Sequence, residues 1–134
     1  MIELAEIKQD QIVFDLGCGD GRVVFAAAEK GAQVIGIELN IFIYALACFR
    51  KRISHKKGTI IRGNFLKVDL RNADTIFCFL VGKGMKKLSE KFRRELKKGC
   101  RVISHGAELP GWKAEKMITL KRFIKKYVIY FYSV

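Results

Sequence analysis

The chain has 134 residues, half of them hydrophobic, and a net charge of +13, which predicts a single folded domain over residues 1–134 and excludes a disordered chain. No apolar run reaches the roughly 18 residues of a membrane span, and the acidic start of the chain lacks the pattern of a secretion signal. Four widely spaced cysteines and only two histidines favour a reduced, cytoplasmic protein without a metal site.

The predicted elements alternate between strand and helix. Strands are expected at 11–15, 33–38, 59–62, 75–80 and 101–104, and helices at 21–30, from an Asn40 cap to about 53, and at 85–98. Two further apolar runs, 117–120 and 127–132, predict a terminal pair of strands. This order predicts an α/β fold in which helices cover both faces of a mainly parallel sheet with an antiparallel edge.

The most informative segment is the turn after the first predicted strand, which reads Gly17-Cys18-Gly19-Asp20-Gly21. Closely spaced glycines between a strand and a helix are typical of a nucleotide-like cofactor site. Asp15 ends the first strand, and Glu38 ends the second strand about 20 residues beyond the glycines, where an acid can accept both hydroxyls of a ribose. The remaining interpretation is a glycine turn in a domain without a ligand.

The acids of this segment favour one kind of cofactor. A dinucleotide fingerprint reads G-x-G-x-x-G, whereas the spacing here is G-x-G-x-G. A pyrophosphate at this helix start would meet the negative charges of Asp15 and Asp20. S-adenosylmethionine carries an ammonium and a sulfonium and has no phosphate, so the sequence favours it over a nicotinamide or a flavin.

The cations are clustered along the chain, for example at Arg50-Lys51-Arg52, Lys56-Lys57 and Lys125-Lys126. A positive field of this size attracts nucleic acid or acidic proteins and repels basic peptides. The alternative interpretation is a solvated surface that keeps the protein soluble.

The chain resembles the class I S-adenosylmethionine-dependent methyltransferases. More narrowly, it is similar to the small archaeal protein-lysine methyltransferases and to their mitochondrial relatives, which modify the ATP synthase c subunit and the adenine nucleotide translocase. The resemblance rests on residues 15–22, 36–40, 63–65, 101–105 and 111–112 and covers nearly the whole chain. It implies a seven-stranded Rossmann-like sheet with a C-terminal hairpin, S-adenosylmethionine as cofactor and S-adenosylhomocysteine as product. Family members carry a covering segment ahead of the first helix, and relative to them this chain is short at its N-terminus.

The resemblance also implies roles for individual residues. The methionine end of the cofactor is assigned to Asp15 and to the turn residues Gly17, Cys18, Gly19, Asp20 and Gly21. Glu38 is assigned to the ribose, Leu39 is grouped with the cofactor-binding residues, and Asn64 and Phe65 are expected to border the adenine.

The end of the fourth strand, Phe79-Leu80, is expected beside the methyl group that is transferred. His105 at the end of the fifth strand is a candidate catalytic participant, and the alternative is a structural histidine. Trp112 has two interpretations of equal weight, a wall of the substrate pocket or core packing. An apolar wall lowers the pKa of a lysine by disfavouring its charged form.

These assignments predict a monomeric protein-lysine N-methyltransferase that transfers methyl directly from the sulfonium to a deprotonated amine of a protein substrate, with acidic proteins favoured by the charge. One alternative is an RNA methyltransferase, because the basic surface can contact nucleic acid. The Asn/Asp-Pro-Pro-aromatic motif of exocyclic-amine enzymes is absent, since Pro110 is the only proline. The other alternative is a non-catalytic module that binds cofactor or RNA.

Overall fold

A computed structural model describes residues 2–79, 82, 84–122 and 125–134. Within these residues a short 3-10 helix at Glu3–Ala5 is followed by β1 (Ile12–Leu16), α1 (Arg22–Glu29), β2 (Gln33–Glu38), α2 (Ile41–Ile53), β3 (Thr59–Arg62), a second 3-10 helix at Phe65–Lys67, β4 (Thr75–Cys78), α3 (Gly84–Glu95), β5 (Arg101–His105), β6 (Lys116–Arg122) and β7 (Lys125–Ser133). Among the helices of this part, none has the length and apolar character needed to cross a membrane.

The strands form one seven-stranded sheet in the order β3-β2-β1-β4-β5-β7-β6. Strands β1 to β5 run parallel, and β7 lies antiparallel between β5 and β6. The predicted mainly parallel sheet with a C-terminal antiparallel hairpin is therefore confirmed. Chain order reverses between β1 and β4, and such a switch point leaves a crevice beyond the carboxyl ends of parallel strands.

Apolar side chains form a core on each face of the sheet. The apolar stripe of α3, which includes Leu88 and Phe92, is buried in one of them, called here the α3-side core. The other core contains Val24 of α1 and Ala47 of α2. Among the residues of α2, Ala47 alone is fully buried, so this helix packs closely on the sheet through a small side chain.

Several boundaries differ from the predicted ones. The fourth strand ends at Cys78 rather than at 80, and Leu80 lies outside the described residues. Helix α3 ends at Glu95 rather than at 98, because the chain turns before β5 with Gly99 at a φ of +83°. The terminal strands are longer than their apolar runs, because backbone pairing continues into their charged ends, for example at Lys121 with Lys126.

Candidate active site

The glycine turn between β1 and α1 is anchored to β2. The Gly17 N–H donates to the Ile37 carbonyl at 2.9 Å. Gly21 has a φ of +83°, and a Cβ there would lie 2.7 Å from Cζ of Phe25, so only glycine fits without displacement of that ring. Gly19 has a φ of +56°, and a Cβ there would meet no atom within 4 Å. The turn therefore has a tightly packed end and an open side where a ligand can approach the backbone.

A cavity of about 500 Å³ opens at the carboxyl ends of β1, β4 and β5, a volume in the range of small-molecule sites. Its lining includes the predicted residues Asp15, Gly17, Cys18, Gly19, Asp20, Phe79 and His105. The fold thus brings residues at the ends of three strands to one cavity. Two of them, Asp15 and His105, are 90 positions apart in the chain.

Asp15 is the buried acid of this cavity. Its side chain is 4% exposed, and its Oδ2 has no hydrogen-bond partner among the described residues. Burial, and next the negative charge of Glu38, raise the pKa of Asp15 from 3.8 to about 7. An unpartnered buried carboxyl group is costly for a folded protein. A cationic group bound in the cavity would supply the missing partner, so Asp15 fits the ammonium of S-adenosylmethionine.

Glu38 links the end of β2 to the glycine turn. Its Oε2 accepts the Gly19 N–H at 3.0 Å, and its Oε1 accepts the Asn40 N–H at 2.8 Å. The Asn40 side chain in turn caps α2, as predicted, by accepting the N–H of Phe42 at 2.9 Å. These backbone donors fix the orientation of the Glu38 carboxylate at the carboxyl end of β2, where an acid can accept the hydroxyls of a ribose.

Asp20 has a different environment from Asp15. Arg22 Nε lies 3.0 Å from Asp20 Oδ2, and the same oxygen pairs with Arg50 of α2. Two guanidinium groups therefore compensate the charge of Asp20. The sequence analysis predicted that a ligand would meet the charges of both aspartates. Among the described residues, Asp20 has partners whereas Asp15 Oδ2 has none.

Leu39, predicted to bind the cofactor, and Asn64 and Phe65, predicted to border the adenine, lie near the ends of β2 and β3. The Gly63 N–H donates to the Glu38 carbonyl at 3.0 Å, which joins the two strand ends. Leu39 is 64% exposed. The Asn64 side chain caps the following 3-10 helix at 2.9 Å, and Phe65 packs against the α3-side core. Their contact with a cofactor stays a prediction.

An aromatic cluster borders the other side of the site. The ring centroids of Phe79 and His105 are 4.7 Å apart, and those of His105 and Tyr127 are 5.3 Å apart in a stacked arrangement. Burial lowers the pKa of His105, so the imidazole is neutral at neutral pH. The sequence did not indicate Tyr127, because its position depends on β7 pairing beside β5.

Trp112 packs against the α3-side core, which agrees with one of its two predicted interpretations, and its place in the wall of a substrate pocket stays a prediction. Its ring makes edge contacts with Phe92 at 6.4 Å and with Tyr132 at 6.1 Å between centroids. The Arg93 guanidinium covers the ring at 5.9 Å. These partners belong to α3 and β7, so Trp112 closes the α3-side core.

Two thiols also line the cavity. Burial raises the pKa of Cys18 and of Cys78 to about 12, so neither is a thiolate at neutral pH, and the thiolate is the nucleophilic form. Across the part of the chain that the structure describes, no three His, Cys, Asp or Glu side chains gather as a metal site. The reactive features of the cavity are therefore its buried carboxyl group and its aromatic rings.

A sheet of this strand order, with a glycine turn and a buried acid at its switch point, defines a class I S-adenosylmethionine-dependent methyltransferase. Residues 15–116 match the family described as the ANTKMT methyltransferase domain, and the chain belongs to this family. A protein-lysine N-methyltransferase of Saccharolobus islandicus is 36% identical over 100% of this chain and 86% of its own length. The adenine nucleotide translocase lysine N-methyltransferase of Mus musculus is 35% identical over 73% of this chain. The resemblance stated from the motifs is confirmed.

The chain covers a different share of each of these proteins. The chain spans less than half of the mouse relative, 44% of its length. Among solved structures, an RNA methyltransferase of Salinibacter ruber in complex with S-adenosyl-L-homocysteine superposes with a TM-score of 0.86 and 26% identity, covering 98% of this chain and 86% of that one. The fold and the cofactor class are thus common to enzymes named for protein and for RNA substrates.

Proposed function

We propose that this chain is an S-adenosylmethionine-dependent N-methyltransferase whose acceptor is a lysine side chain of a protein. The observation that carries the proposal is one cavity with two unlike ends. At one end Asp15 offers a buried carboxyl group whose Oδ2 has no partner among the described residues, and at the other Phe79 and His105 offer neutral aromatic rings. The first end suits the cationic donor, and the second suits an amine acceptor.

The donor end consists of residues that bind and orient. Asp15 holds the ammonium, Glu38 holds the ribose hydroxyls, and the open backbone at Gly19 lets the methionine portion approach. When bound, S-adenosylmethionine supplies a methyl group that is already activated on a sulfonium. The protein therefore needs no nucleophile of its own, in agreement with the neutral thiols of the cavity, and its contribution is to position the reactants.

The acceptor end consists of rings that attract the lysine and favour its neutral form. Aromatic faces attract ammonium groups, and an apolar environment lowers the pKa of an amine by disfavouring its charged form. The neutral His105 adds no positive charge that would repel the lysine, and its Nδ1 is buried without a partner in the described residues. We assign Phe79, His105 and Tyr127 to this acceptor site.

The names of the relatives support the acceptor class. The archaeal relative is named for protein lysine, and the mouse relative for a lysine of the adenine nucleotide translocase. The net charge of +13 favours acidic protein targets. All four cysteines are free, which suits a reducing cytoplasm, and we propose a monomer there.

The test is methyl transfer to a matched pair of peptides. Each peptide is incubated with the full chain and S-adenosylmethionine, and one carries lysine where the other carries arginine. We expect mass spectrometry to detect methylation of the lysine peptide only, and no transfer by D15N. Cofactor binding measured by calorimetry without transfer to any lysine, on the peptide or on the chain itself, would contradict the lysine assignment and leave the cofactor site intact.

A second candidate is methylation of RNA. The RNA methyltransferase of Salinibacter ruber is 26% identical over nearly the whole chain. The positive charge favours phosphate contacts, and aromatic rings such as Phe79 can stack on bases. The two candidates are separated by incubating the chain with methyl-labelled S-adenosylmethionine and an equal mixture of RNA and lysine peptide. Methyl label that is lost on ribonuclease treatment was transferred to RNA.

A further inference from the structure

Helix α2 presents large apolar side chains to solvent. Phe42, Leu46, Phe49 and Ile53 are 81%, 50%, 60% and 59% exposed. Their spacing of four, three and four residues places them on one helical face. At 1.5 Å per residue this face is about 16 Å long. We call these four residues the α2 stripe.

The α2 stripe lies opposite the contact of the helix with the protein. Ala47 packs in the core beneath α2 and Tyr44 is partly buried against it, while the four residues of the α2 stripe are exposed. Helix α3 has the usual arrangement, with Leu88 and Phe92 fully buried. A continuous exposed apolar face of this kind marks a site of interaction.

The surroundings of the α2 stripe are strongly cationic. Residues 39–68 contain seven Lys or Arg and no Asp or Glu, and two of the seven, Arg50 and Lys56, pair with Asp20 and Glu29 outside this range. A depression of about 470 Å³ beside the helix is lined by Lys51, Arg52, His55 and Lys56. Apolar residues flanked by Lys and Arg are the pattern of helices that lie in the interface of an anionic membrane.

We propose that α2 docks this protein on an anionic lipid membrane. The α2 stripe enters the boundary between headgroups and acyl chains, while Arg52, which lies on the flank of the stripe, contacts lipid phosphates. The 13 residues of α2 measure about 20 Å, less than the roughly 30 Å of the hydrocarbon core, so the helix lies in the plane of the interface.

Charge favours a membrane over a second copy of the chain as the occupant. Two copies meeting through their α2 stripes would bring two cationic surfaces together, each on a chain with a net charge of +13, and like charges across an interface oppose association. An anionic bilayer instead attracts basic residues near its surface and accepts the apolar side chains.

The test is sedimentation of the full chain with vesicles. We expect binding to phosphatidylcholine vesicles that contain about one third phosphatidylglycerol, and at least about tenfold weaker binding to phosphatidylcholine alone. F42S/F49S should reduce binding to the mixed vesicles by at least about tenfold. The matched control is M117S/L120S, which removes two exposed apolar side chains of β6, 63% and 40% exposed, and should bind as the wild type does. Unfolding temperatures close to that of the wild type check that both variants fold.

The remaining outcomes each have a stated meaning. R52Q should weaken binding and reduce its dependence on salt. Absence of wild-type binding to the mixed vesicles overturns the proposal, and so does equal binding by F42S/F49S. A dimer in light scattering that F42S/F49S converts to a monomer would assign the α2 stripe to a second copy and also overturn it. Sedimentation needs no methyl transfer, so these results are independent of the proposed function.

Discussion

The two ends of the cavity differ in how their residues are held and in what they can bind. Beside the donor end, Glu38 accepts two backbone N–H groups, and within this end Asp15 is buried without a partner for Oδ2 among the described residues. At the acceptor end, the His105 ring packs at a tilt against Phe79 and stacks on Tyr127, and Phe79 is 57% exposed. The donor end is fixed and charged, and the acceptor end is open and neutral.

This difference indicates that the donor end lowers the stability of the ligand-free fold, whereas the acceptor end does not. The protein holds a carboxyl group whose pKa is raised by burial, which destabilises the ligand-free fold and favours a cationic ligand. The aromatic rings at the acceptor end carry no comparable penalty. Changes at Asp15 should therefore affect stability and cofactor affinity in opposite directions, whereas changes at the rings should affect acceptor use alone.

The largest expected effect is a stabilisation by D15N. The folded pKa of Asp15, about 7, lies above its ordinary value of 3.8, so ionisation disfavours the folded state, and stability falls as pH rises from about 4 to about 7. The full difference corresponds to about 4 kcal/mol. Urea unfolding of the free protein at pH 8 should show D15N more stable than the wild type by up to this amount, and less so at pH 5. Equal stability at pH 8 would mean that Asp15 carries no burial penalty.

The same substitution should weaken cofactor binding. Loss of the charge that faces the ammonium should raise the Kd for S-adenosylmethionine about 100-fold, or about 2.7 kcal/mol, as measured by calorimetry. For the wild type, affinity should fall about tenfold per pH unit below about 7, because protonated Asp15 has no charge to offer. In D15N this pH dependence should be absent, and a slope that persists would place the titrating group elsewhere.

A smaller effect is expected at the acceptor end. Y127A and H105A should each lower kcat/KM for a lysine peptide about tenfold by removing part of the aromatic surface, while the Kd for S-adenosylmethionine stays within about twofold. Y127F keeps the ring and should retain wild-type kcat/KM. A rise in the cofactor Kd in Y127A would contradict the assignment of cofactor binding and acceptor binding to different ends of the cavity.

The smallest effect is expected for D20N. Asp20 is paired with Arg22 and Arg50 at a partly exposed position, and such ion pairs contribute about 0–1 kcal/mol. D20N should therefore change both stability and cofactor affinity only slightly, which makes it the matched control for D15N. A loss of affinity for S-adenosylmethionine as large as that of D15N would show that the charge of Asp20 also binds the cofactor.

Much of the donor end could be predicted from the sequence, because its residues are recognised by short spacings along the chain. The turn from Gly17 to Gly21, the acid before it and the acid that ends β2 are recognised by short spacings, and the structure places Asp15, Gly17 and Gly19 around one cavity. Glycines at these positions reflect backbone conformations and close contacts that are decided within a few residues.

The acceptor end was only partly predicted. Phe79 was named through the family resemblance as the end of the predicted fourth strand, and His105 as the end of the fifth, and both line the cavity. Tyr127 was missed, because it reaches His105 only through the insertion of β7 between β5 and β6. Leu80 lies outside the described residues, so its predicted place beside the methyl group stays a prediction.

The sequence by itself determined the alternation of strands and helices, the glycine turn and the acids beside it, because periodicity and turn chemistry act over a few residues. The tertiary structure decided the pairing of Asp20 with Arg50, the contact of Tyr127 with His105 and the outward direction of the α2 stripe. These features join residues that are distant in the chain or depend on which face of a helix meets the sheet. Strand order and packing decide both, and no local spacing encodes them.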